Sequence, residues 1–355
     1  MESLTWQDAG RPAERHVAGT PVTARLEYRA EPAFGELDAA IEGAAIAHCV
    51  LEPASLAGCH VRLRSGHLCL DYLRYPASVA VQGVWTRREN AYSFLSGPGR
   101  RWTGPGIEHR GDTVEGLVAG TAVRAYLPAG SEWLVVWFPT RGAAENAGIA
   151  GMAAIPPRGL RSEAASALRR QVGHLVSLAE AGGTERQVAQ LVEALAGVAR
   201  DALTASAPLP GPGGVRARRF ALVQRAEAFA AADPCESLRI PELSRAAGAS
   251  ERLLEYAFRD VYNRGASRCL RLMRLNGARR DLSQATGGRA TVTTVAMEWG
   301  FFHLSAFAGA YRRIFGELPS DTARLATRRK TAPRGAAPRR RGEAAAESDV
   351  AEGAI

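Results

Sequence analysis

The fold of the C-terminal third of this chain is decided by two similar stretches, IPELSRAAGASERLLEYAFRDVYN (240–263) and VTTVAMEWGFFHLSAFAGAYRRIFG (292–316). Each begins with a short amphipathic segment, continues through a glycine and ends in a longer segment with apolar residues three or four apart. That spacing is typical of helices that bury one face, and a glycine permits the sharp turn between them. We therefore predict two helix-turn-helix units, at 240–262 and 292–315.

Two sets of residues follow from this pattern. The expected cores of the units contain Leu243, Gly248, Leu254, Phe258, Val295, Gly300, Phe307, Tyr311 and Phe315. The expected DNA-binding residues lie on the outer faces of the second helices: Ser250, Glu251, Arg252, Glu255, Arg259, His303, Leu304, Ala306, Arg312 and Arg313. Such a face enters a major groove with its N-terminal residues nearest the bases.

Several of these residues have an alternative role. Ser250 is also a good N-cap, and Arg252 is either a DNA contact or an ordinary solvated arginine. Glu255 either pairs with Arg259 four residues on or accepts a hydrogen bond from a cytosine amine. His303 is either a DNA contact or part of the helix start. We expect Arg312 and Arg313 to contact phosphates rather than bases.

Positive charge is concentrated in the same part of the chain. The formal net charge of the whole chain is +9, and residues 215–330 contain 21 Arg and Lys against 11 Asp and Glu. All but one of the basic residues of the chain are arginines, the exception being Lys330. A localised positive field indicates a polyanion partner, most often nucleic acid.

A known family can now be named, because residues 218–326 resemble the DNA-binding domain of the AraC/XylS family. The matching positions are Leu254, Phe258, Arg274, Leu275, Asn276, Ala278, Arg279, Leu282, Val295, Ala296, Trp299, Gly300, Phe301, Ser305, Ala306, Phe307, Tyr311, Arg312, Arg313, Phe315, Gly316, Pro319 and Ser320. The resemblance implies seven helices, two of which read successive major grooves. It also implies that Pro319 belongs to the core and that the preceding domain binds an effector or makes dimers.

This chain departs from the family pattern at four positions. Asn263 and Ala266 stand where the family usually has Gly and Pro, and Cys269 replaces a usual Tyr. Gly309 occupies a position where Arg is common on the second recognition helix. Because Gly309 has no side chain that could contact DNA, we expect that the first unit specifies the DNA sequence and the second mainly positions the protein.

The remainder of the chain divides by texture. Short β-branched and aromatic runs separated by turn residues predict strands from about 45 to 140, and residues 160–204 read as two helices. The apolar stripe of the second helix, Val188 to Leu203, packs either on its own sheet or on a second copy of the chain. The strand-rich part resembles the cupin-like sensory domain that precedes the DNA-binding module in many members of the family.

We therefore predict a multidomain α+β protein. An N-terminal β-rich, cupin-like domain with two trailing helices precedes an all-α domain whose two helix-turn-helix units are joined by a long helix, 267–285. The predicted divisions are an irregular N-terminus (1–30), the sensory or dimerisation domain (31–204), a Pro/Gly linker (205–217), the DNA-binding domain (218–327) and a disordered tail (328–355).

A cluster of potential ligands in the N-terminal part supports an alternative hypothesis. His48, Cys49, Cys59, His60, His67 and Cys69 lie within 22 residues and could serve a metal- or thiol-responsive sensor. Adjacent strand residues point to opposite faces, however, so at most half of the six could converge. We expect free buried thiols, no metal and no cofactor. Because no nucleotide-binding or nucleophile motif is present, we expect no enzymatic activity.

The expected partners follow from this reading. They are double-stranded DNA, a small-molecule effector, a second copy of the chain and, for an activator, RNA polymerase. No apolar run reaches the about 18 residues of a membrane span, and the N-terminus has no apolar stretch of signal-peptide type. The expected location is therefore the cytoplasm, with no membrane partner.

Overall fold

A computed structural model describes residues 24–30, 32, 34–55, 57–99, 101–103, 107–109, 111–139, 155–209, 211, 214–232, 239–284 and 291–331. The strands are β1 Arg25–Ala30, β2 Ala44–Val50, β3 Cys59–Arg64, β4 Cys69–Arg74, β5 Val79–Trp85, β6 Ala91–Ser96, β7 Arg101–Thr103, β8 Ile107–His109, β9 Thr113–Leu117, β10 Ala122–Leu127, β11 Glu132–Trp137, β12 Arg158–Gly159 and β13 Ala207–Pro208. The helices are α1 Phe34–Leu37, α2 Ser162–Ala181, α3 Glu185–Thr204, α4 Gly214–Ala232, α5 Ile240–Ala247, α6 Glu251–Tyr262, α7 Ala266–Gln284, α8 Val292–Glu298, α9 Leu304–Phe315 and α10 Pro319–Thr331.

The N-terminal part forms two antiparallel sheets. One has the strand order β1-β3-β4-β11-β6-β9-β12-β13, and the other has the order β2-β5-β10-β7-β8. Their inner faces enclose a core of large side chains in which Trp85 and Trp137 are fully buried, with ring centroids 6.2 Å apart. Strands β4, β6 and β11 of the larger sheet are buried along nearly their whole length, as expected for a sheet that is covered on both faces.

The helical hairpin α2–α3 covers the outer face of the eight-stranded sheet. Val188, Leu191 and Leu195 of α3 share one buried cluster with Val61 and Leu63 of β3. The apolar stripe of α3 is thus buried within the N-terminal domain itself, chiefly against α2, which in turn contacts β1 and β3 of the sheet.

The C-terminal helices form a helical domain of their own. The core of this domain lies between helices α4 to α9. It contains Leu254, Phe258, Phe307 and Tyr311, each of which is at most 1% exposed. Val50, Leu51 and Tyr126 from the five-stranded sheet belong to the same cluster. The helical domain therefore packs directly against the N-terminal domain.

Polar contacts fix this interface at the long helix α7. The backbone N–H of Val50 donates to Oδ1 of Asn276 at 2.8 Å, and Nδ2 of Asn276 donates to the carbonyl oxygens of Val50 at 3.0 Å and of Leu272 at 2.7 Å. The side-chain amide of Asn276 thus pairs with the backbone N–H and C=O of Val50, as a neighbouring strand would. Nearby, Arg264 pairs with Glu52.

The predicted fold class, a β-rich domain followed by an all-α domain, is confirmed. Three details of the predicted division are wrong. Residues 25–30, expected to be irregular, form β1, which pairs along its full length with β3. In the predicted linker, β13 pairs with β12 and α4 already begins at Gly214.

The third error concerns the tail, because α10 continues to Thr331. Arg and Lys, which occupy positions 328–330, are good helix formers. The expected disorder of 332–355 lies outside the described residues. Every helix among the described residues is too short or too polar to cross a lipid bilayer.

Candidate nucleic-acid interface

The turn of the first unit has the geometry that its sequence predicts. Gly248 ends α5 in the left-handed region, at φ +70°. Ser250 follows in extended conformation, and its hydroxyl accepts from the backbone N–H of Leu253, at 3.3 Å. Satisfying an orphan N–H in this way fixes the start of α6. Helix α6 buries Leu254, and its N-terminal end stays accessible.

The outer face of α6 carries a stacked pair of side chains. The Arg252 guanidinium lies 5.5 Å from the ring centroid of Tyr256, and its Nη2 donates to the Tyr256 hydroxyl at 3.2 Å. Both residues are exposed, as are Glu251 and Leu253. A guanidinium held over an aromatic ring has fewer rotamers to lose on meeting a partner. Tyr256 was not among the predicted DNA-binding residues.

Glu255 holds the end of the first unit together. Its Oε1 pairs with Nη2 of Arg259 at 3.0 Å, and its Oε2 accepts from the backbone N–H of Ala266 at 2.9 Å. Gly265 lies beneath the carboxylate, where an added Cβ would come within 2.5 Å of Oε1. Both oxygens are therefore engaged within the protein, which favours the pairing alternative for Glu255 over a contact with cytosine.

Two departures from the family pattern now have a physical reading. Asn263 ends α6 at φ +53°, a conformation that asparagine tolerates better than most other residues with a side chain. Ala266 begins α7 where proline is common, but its N–H is used by Glu255. A proline there would remove that donor. Both substitutions thus keep the local geometry.

The second unit is built on a ladder of aromatic rings. Phe301, Phe307, Tyr311 and Phe315 follow one another with ring centroids 4.9, 5.6 and 4.6 Å apart. The Arg279 guanidinium of α7 lies 4.8 Å from the Phe315 ring centroid. Rings at these separations and tilts attract each other beyond the area they bury. The ladder therefore sets α9 firmly on the domain core.

The turn of the second unit is anchored to α7 through Trp299. Its Nε1 donates to Oδ2 of Asp281 at 2.6 Å. Gly277 faces the ring so closely that an added Cβ would lie 2.0 Å from it. Gly300 follows at φ +73°. The glycine in α7, unexplained by the sequence pattern, is thus needed for the indole to approach.

The outer face of α9 differs from that of α6. His303 occupies the N-cap position, but its side chain makes no capping hydrogen bond. Leu304, Ala306 and Gly309 are exposed on the following turns. Phe302, which the sequence reading missed, is 62% exposed. Arg312 and Arg313 are exposed in the last turn, so the positive charge of α9 is confined to its C-terminal end.

All the predicted core residues are positioned as expected, with Gly248 and Gly300 in the turns and the others buried. The buried set comprises Leu243, Leu254, Phe258, Val295, Phe307, Tyr311, Phe315 and Pro319. Of the proposed DNA-binding residues, the structure exposes all but Glu255, which is partly buried. Contact of any of them with DNA stays a prediction.

The His/Cys cluster of the N-terminal part is divided among three layers. Cys49 packs at the domain interface, Cys59 beneath the α2–α3 hairpin and Cys69 between the two sheets. Burial raises the pKa of all three thiols, which disfavours the thiolate that a metal requires. These three cysteines and Cys269 are free, and Cys235 lies outside the described residues.

The histidines of that cluster have other partners. The ring of His48 contacts Oδ1 of Asp38 through Nδ1 and the hydroxyl of Tyr75 through Nε2, both at 3.0 Å. Nε2 of His60 contacts Oδ1 of Asp71 at 3.1 Å, and His67 is exposed. The part of the chain that the structure describes holds no group of three His, Cys, Asp or Glu side chains placed to bind a metal.

Comparison with known proteins bears on the helical domain. The family model described as "Helix-turn-helix domain" matches residues 243–325. The "Probable thc operon regulatory protein" of Rhodococcus erythropolis is 33% identical over 103 residues, which are 29% of this chain and 31% of that protein. The "XylDLEGF operon transcriptional activator 2" of Pseudomonas putida is 37% identical over 89 residues, which are 25% of this chain and 57% of that protein.

Among solved structures, a probable AraC family transcriptional regulator from Rhodopseudomonas palustris is 31% identical, with a TM-score of 0.28, over 30% of this chain and 96% of that one. The AraC-like transcriptional activator CuxR is 14% identical, with a TM-score of 0.35, over 77% of this chain and 99% of that one. By its fold and its family match, this chain contains a helix-turn-helix domain. That domain is of the AraC/XylS type.

Proposed function

We propose that this protein is a sequence-specific, DNA-binding transcriptional regulator. The observation that carries the proposal is the exposure of two recognition helices, α6 and α9, in the segment that holds the positive charge of the chain. Each is preceded by a sharp turn and packed by its inner face alone, as insertion into a major groove requires. The helix-turn-helix match and the two operon regulators support the same function.

Within this proposal the arginines have different tasks. Arg252 lies in the first turn of α6, where a bidentate contact to guanine is geometrically available. Arg259, Arg312 and Arg313 lie at the ends of α6 and α9, where phosphates pass. Ser250, Glu251, His303, Leu304 and Ala306 lie toward the base edges. Phosphate contacts supply affinity, and base contacts supply specificity.

We also propose that the N-terminal domain responds to a small-molecule effector and biases the helical domain. The contacts of Asn276 with Val50 and of Arg264 with Glu52 support a direct mechanical link. Any shift of β2 would therefore displace α7, to which both units are attached. Two discrete arrangements of this joint are what an allosteric response needs.

An effector bound beneath α2 would have to enlarge the space there. A cavity of about 20 Å³ lies under α2, bounded among others by Phe94, Leu134, Leu168 and Val172. That volume admits about one water molecule. We propose a homodimer as the binding form, through a surface other than the stripe of α3. An activator would additionally contact RNA polymerase.

Binding of the purified full-length chain to duplexes enriched from a random library tests the function. Fluorescence anisotropy should give a higher affinity for the enriched duplex than for random DNA, with strong salt dependence. Arg252→Ala should weaken specific binding by about 1–3 kcal/mol. Arg186→Ala, which removes an exposed arginine from α3, serves as control and should bind like the wild type. Equal affinity for enriched and random duplexes would contradict the proposal.

A further inference from the structure

The reading face of α9 is apolar where that of α6 is charged. Phe302 is 62% exposed and Leu304 is 38% exposed, immediately before and within the first turn. The neighbouring Phe301 packs on Phe307 with ring centroids 4.9 Å apart, so the domain core is closed without Phe302. Large apolar side chains left outside a closed core indicate a contact with something else.

The same face lacks the side chains that read guanine or adenine by paired hydrogen bonds. From Phe301 to Tyr311 the sequence contains no Arg, Lys, Asn, Gln, Asp or Glu. Arg312 and Arg313 come only in the last turn, beyond the part of a recognition helix that enters deepest. The base-edge feature that apolar side chains recognise in a major groove is the C5-methyl group of thymine.

Gly309 supplies an independent observation. A Cβ placed on this residue would meet no protein atom within 4 Å, so the glycine is not required by packing within the protein. It nevertheless costs helix stability, about 1 kcal/mol relative to alanine. A missing side chain on the outer face, one turn after Ala306, leaves room for a partner to approach the backbone of α9 closely.

We propose that the second unit reads thymine methyl groups in an A·T-containing half-site. Leu304 and Phe302 contact the methyl groups, and Ala306 and Gly309 let the helix lie deep in the groove. The inference rests on the proposed DNA binding and replaces the expectation that the second unit mainly positions the protein. Arg252 of the first unit reads by hydrogen bonds, so the two half-sites differ in chemistry.

Replacement of thymine by deoxyuridine tests the inference, because it removes the methyl group and leaves the base pairing intact. The two half-sites of the enriched duplex are first assigned to the two units. The half-site at which Arg252→Ala changes the base preference belongs to the first unit. Deoxyuridine in the other half-site should then weaken binding by the wild-type chain about fourfold per contacted methyl group. The double variant Phe302→Ala/Leu304→Ala, which removes both apolar contacts, should bind the thymine and deoxyuridine duplexes equally well.

Leu325→Ala is the matched control, since Leu325 is 49% exposed on α10, outside the reading face. This variant should keep the full discrimination between thymine and deoxyuridine. If the enriched duplex is bound but deoxyuridine in the second half-site changes nothing, the inference fails and the DNA-binding function stands. If the double variant Phe302→Ala/Leu304→Ala retains the discrimination, the assignment to this face fails. If no duplex is enriched at all, both the function and the inference fail.

Discussion

Both helix-turn-helix units have an apolar core, but polar contacts fix the two ends of α6 whereas a row of aromatic rings runs along α9. In the first, Ser250 caps α6 and Glu255 joins its end to α7. In the second, the capping position is filled by His303 without a capping hydrogen bond, and stacked rings hold α9 in place. The outer faces differ in the same sense, because Arg252 and Tyr256 are exposed on α6 whereas Phe302 and Leu304 are exposed at the start of α9.

The difference teaches that one backbone arrangement can present two chemically different outer faces. The inner face of each recognition helix is fixed by packing, so its outer face is free to diverge. The units also differ in their distance from the N-terminal domain, because Tyr262 at the end of α6 stacks on Tyr126 of β10 at 5.8 Å between ring centroids. The N-terminal domain therefore contacts the first unit and α7 directly.

Truncation of the ring at the centre of each unit should have the largest effect. Phe307 and Phe258 are buried to within 1%, and Phe→Ala at such sites costs about 3–5 kcal/mol. We expect both variants to lose this much stability in urea unfolding followed by circular dichroism. They should differ in location, since hydrogen exchange should accelerate in α8 and α9 for Phe307→Ala and in α5, α6 and β10 for Phe258→Ala. Equal acceleration in β10 would remove the distinction between the units.

Much of this comparison could be predicted from the sequence, because it depends on local pattern. The apolar spacing of Leu254 and Phe258, and the turn glycines, indicated both units and their buried faces. Strand β1 was missed because Arg25, Glu27 and Arg29 make it as polar as a loop, and only its pairing with β3 orders it. Pairing partners distant in sequence leave no local signal.

The site was predictable in part for a similar reason. Exposure of Arg252 and Leu304 follows from helical period alone. The engagement of Glu255 with the Ala266 N–H depends on the angle between α6 and α7, which periodicity does not specify. The contact of Asn276 with Val50 joins residues 226 positions apart. Such a contact requires the packing of two domains to be known.

A second, smaller effect is a pH dependence of the stability, which arises at Glu227 beside the first unit. Glu227 of α4 accepts a hydrogen bond from Tyr262 and lies 3.9 Å from Arg124 of β10. Burial raises the pKa of Glu227 to about 7 from 4.5. Below pH 4.5 the carboxyl is protonated in both states. As pH rises to 7 only the unfolded chain loses the proton, so the folded state is penalised by up to about 3 kcal/mol.

Glu227→Gln, which keeps an acceptor for Tyr262, should therefore be more stable than the wild type at pH 8 and equally stable at pH 4.5. Urea unfolding at the two pH values measures the difference. Burial also raises the pKa of Glu115 to about 7, so part of the pH dependence should persist in the variant. The expectation fails if the stability gap between variant and wild type is the same at both pH values.

The smallest expected effect separates the two capping positions. Ser250→Ala removes a capping hydroxyl and should cost about 1 kcal/mol of stability. His303→Ala removes a side chain that makes no capping hydrogen bond, and substitutions at such exposed positions stay within about 0.5 kcal/mol. Thermal unfolding of both variants measures these costs. If His303→Ala destabilises the protein as much as Ser250→Ala, His303 takes part in the helix start. If its stability is unchanged and its affinity for the enriched duplex falls, His303 serves the groove instead, because nothing within the fold then accounts for the loss.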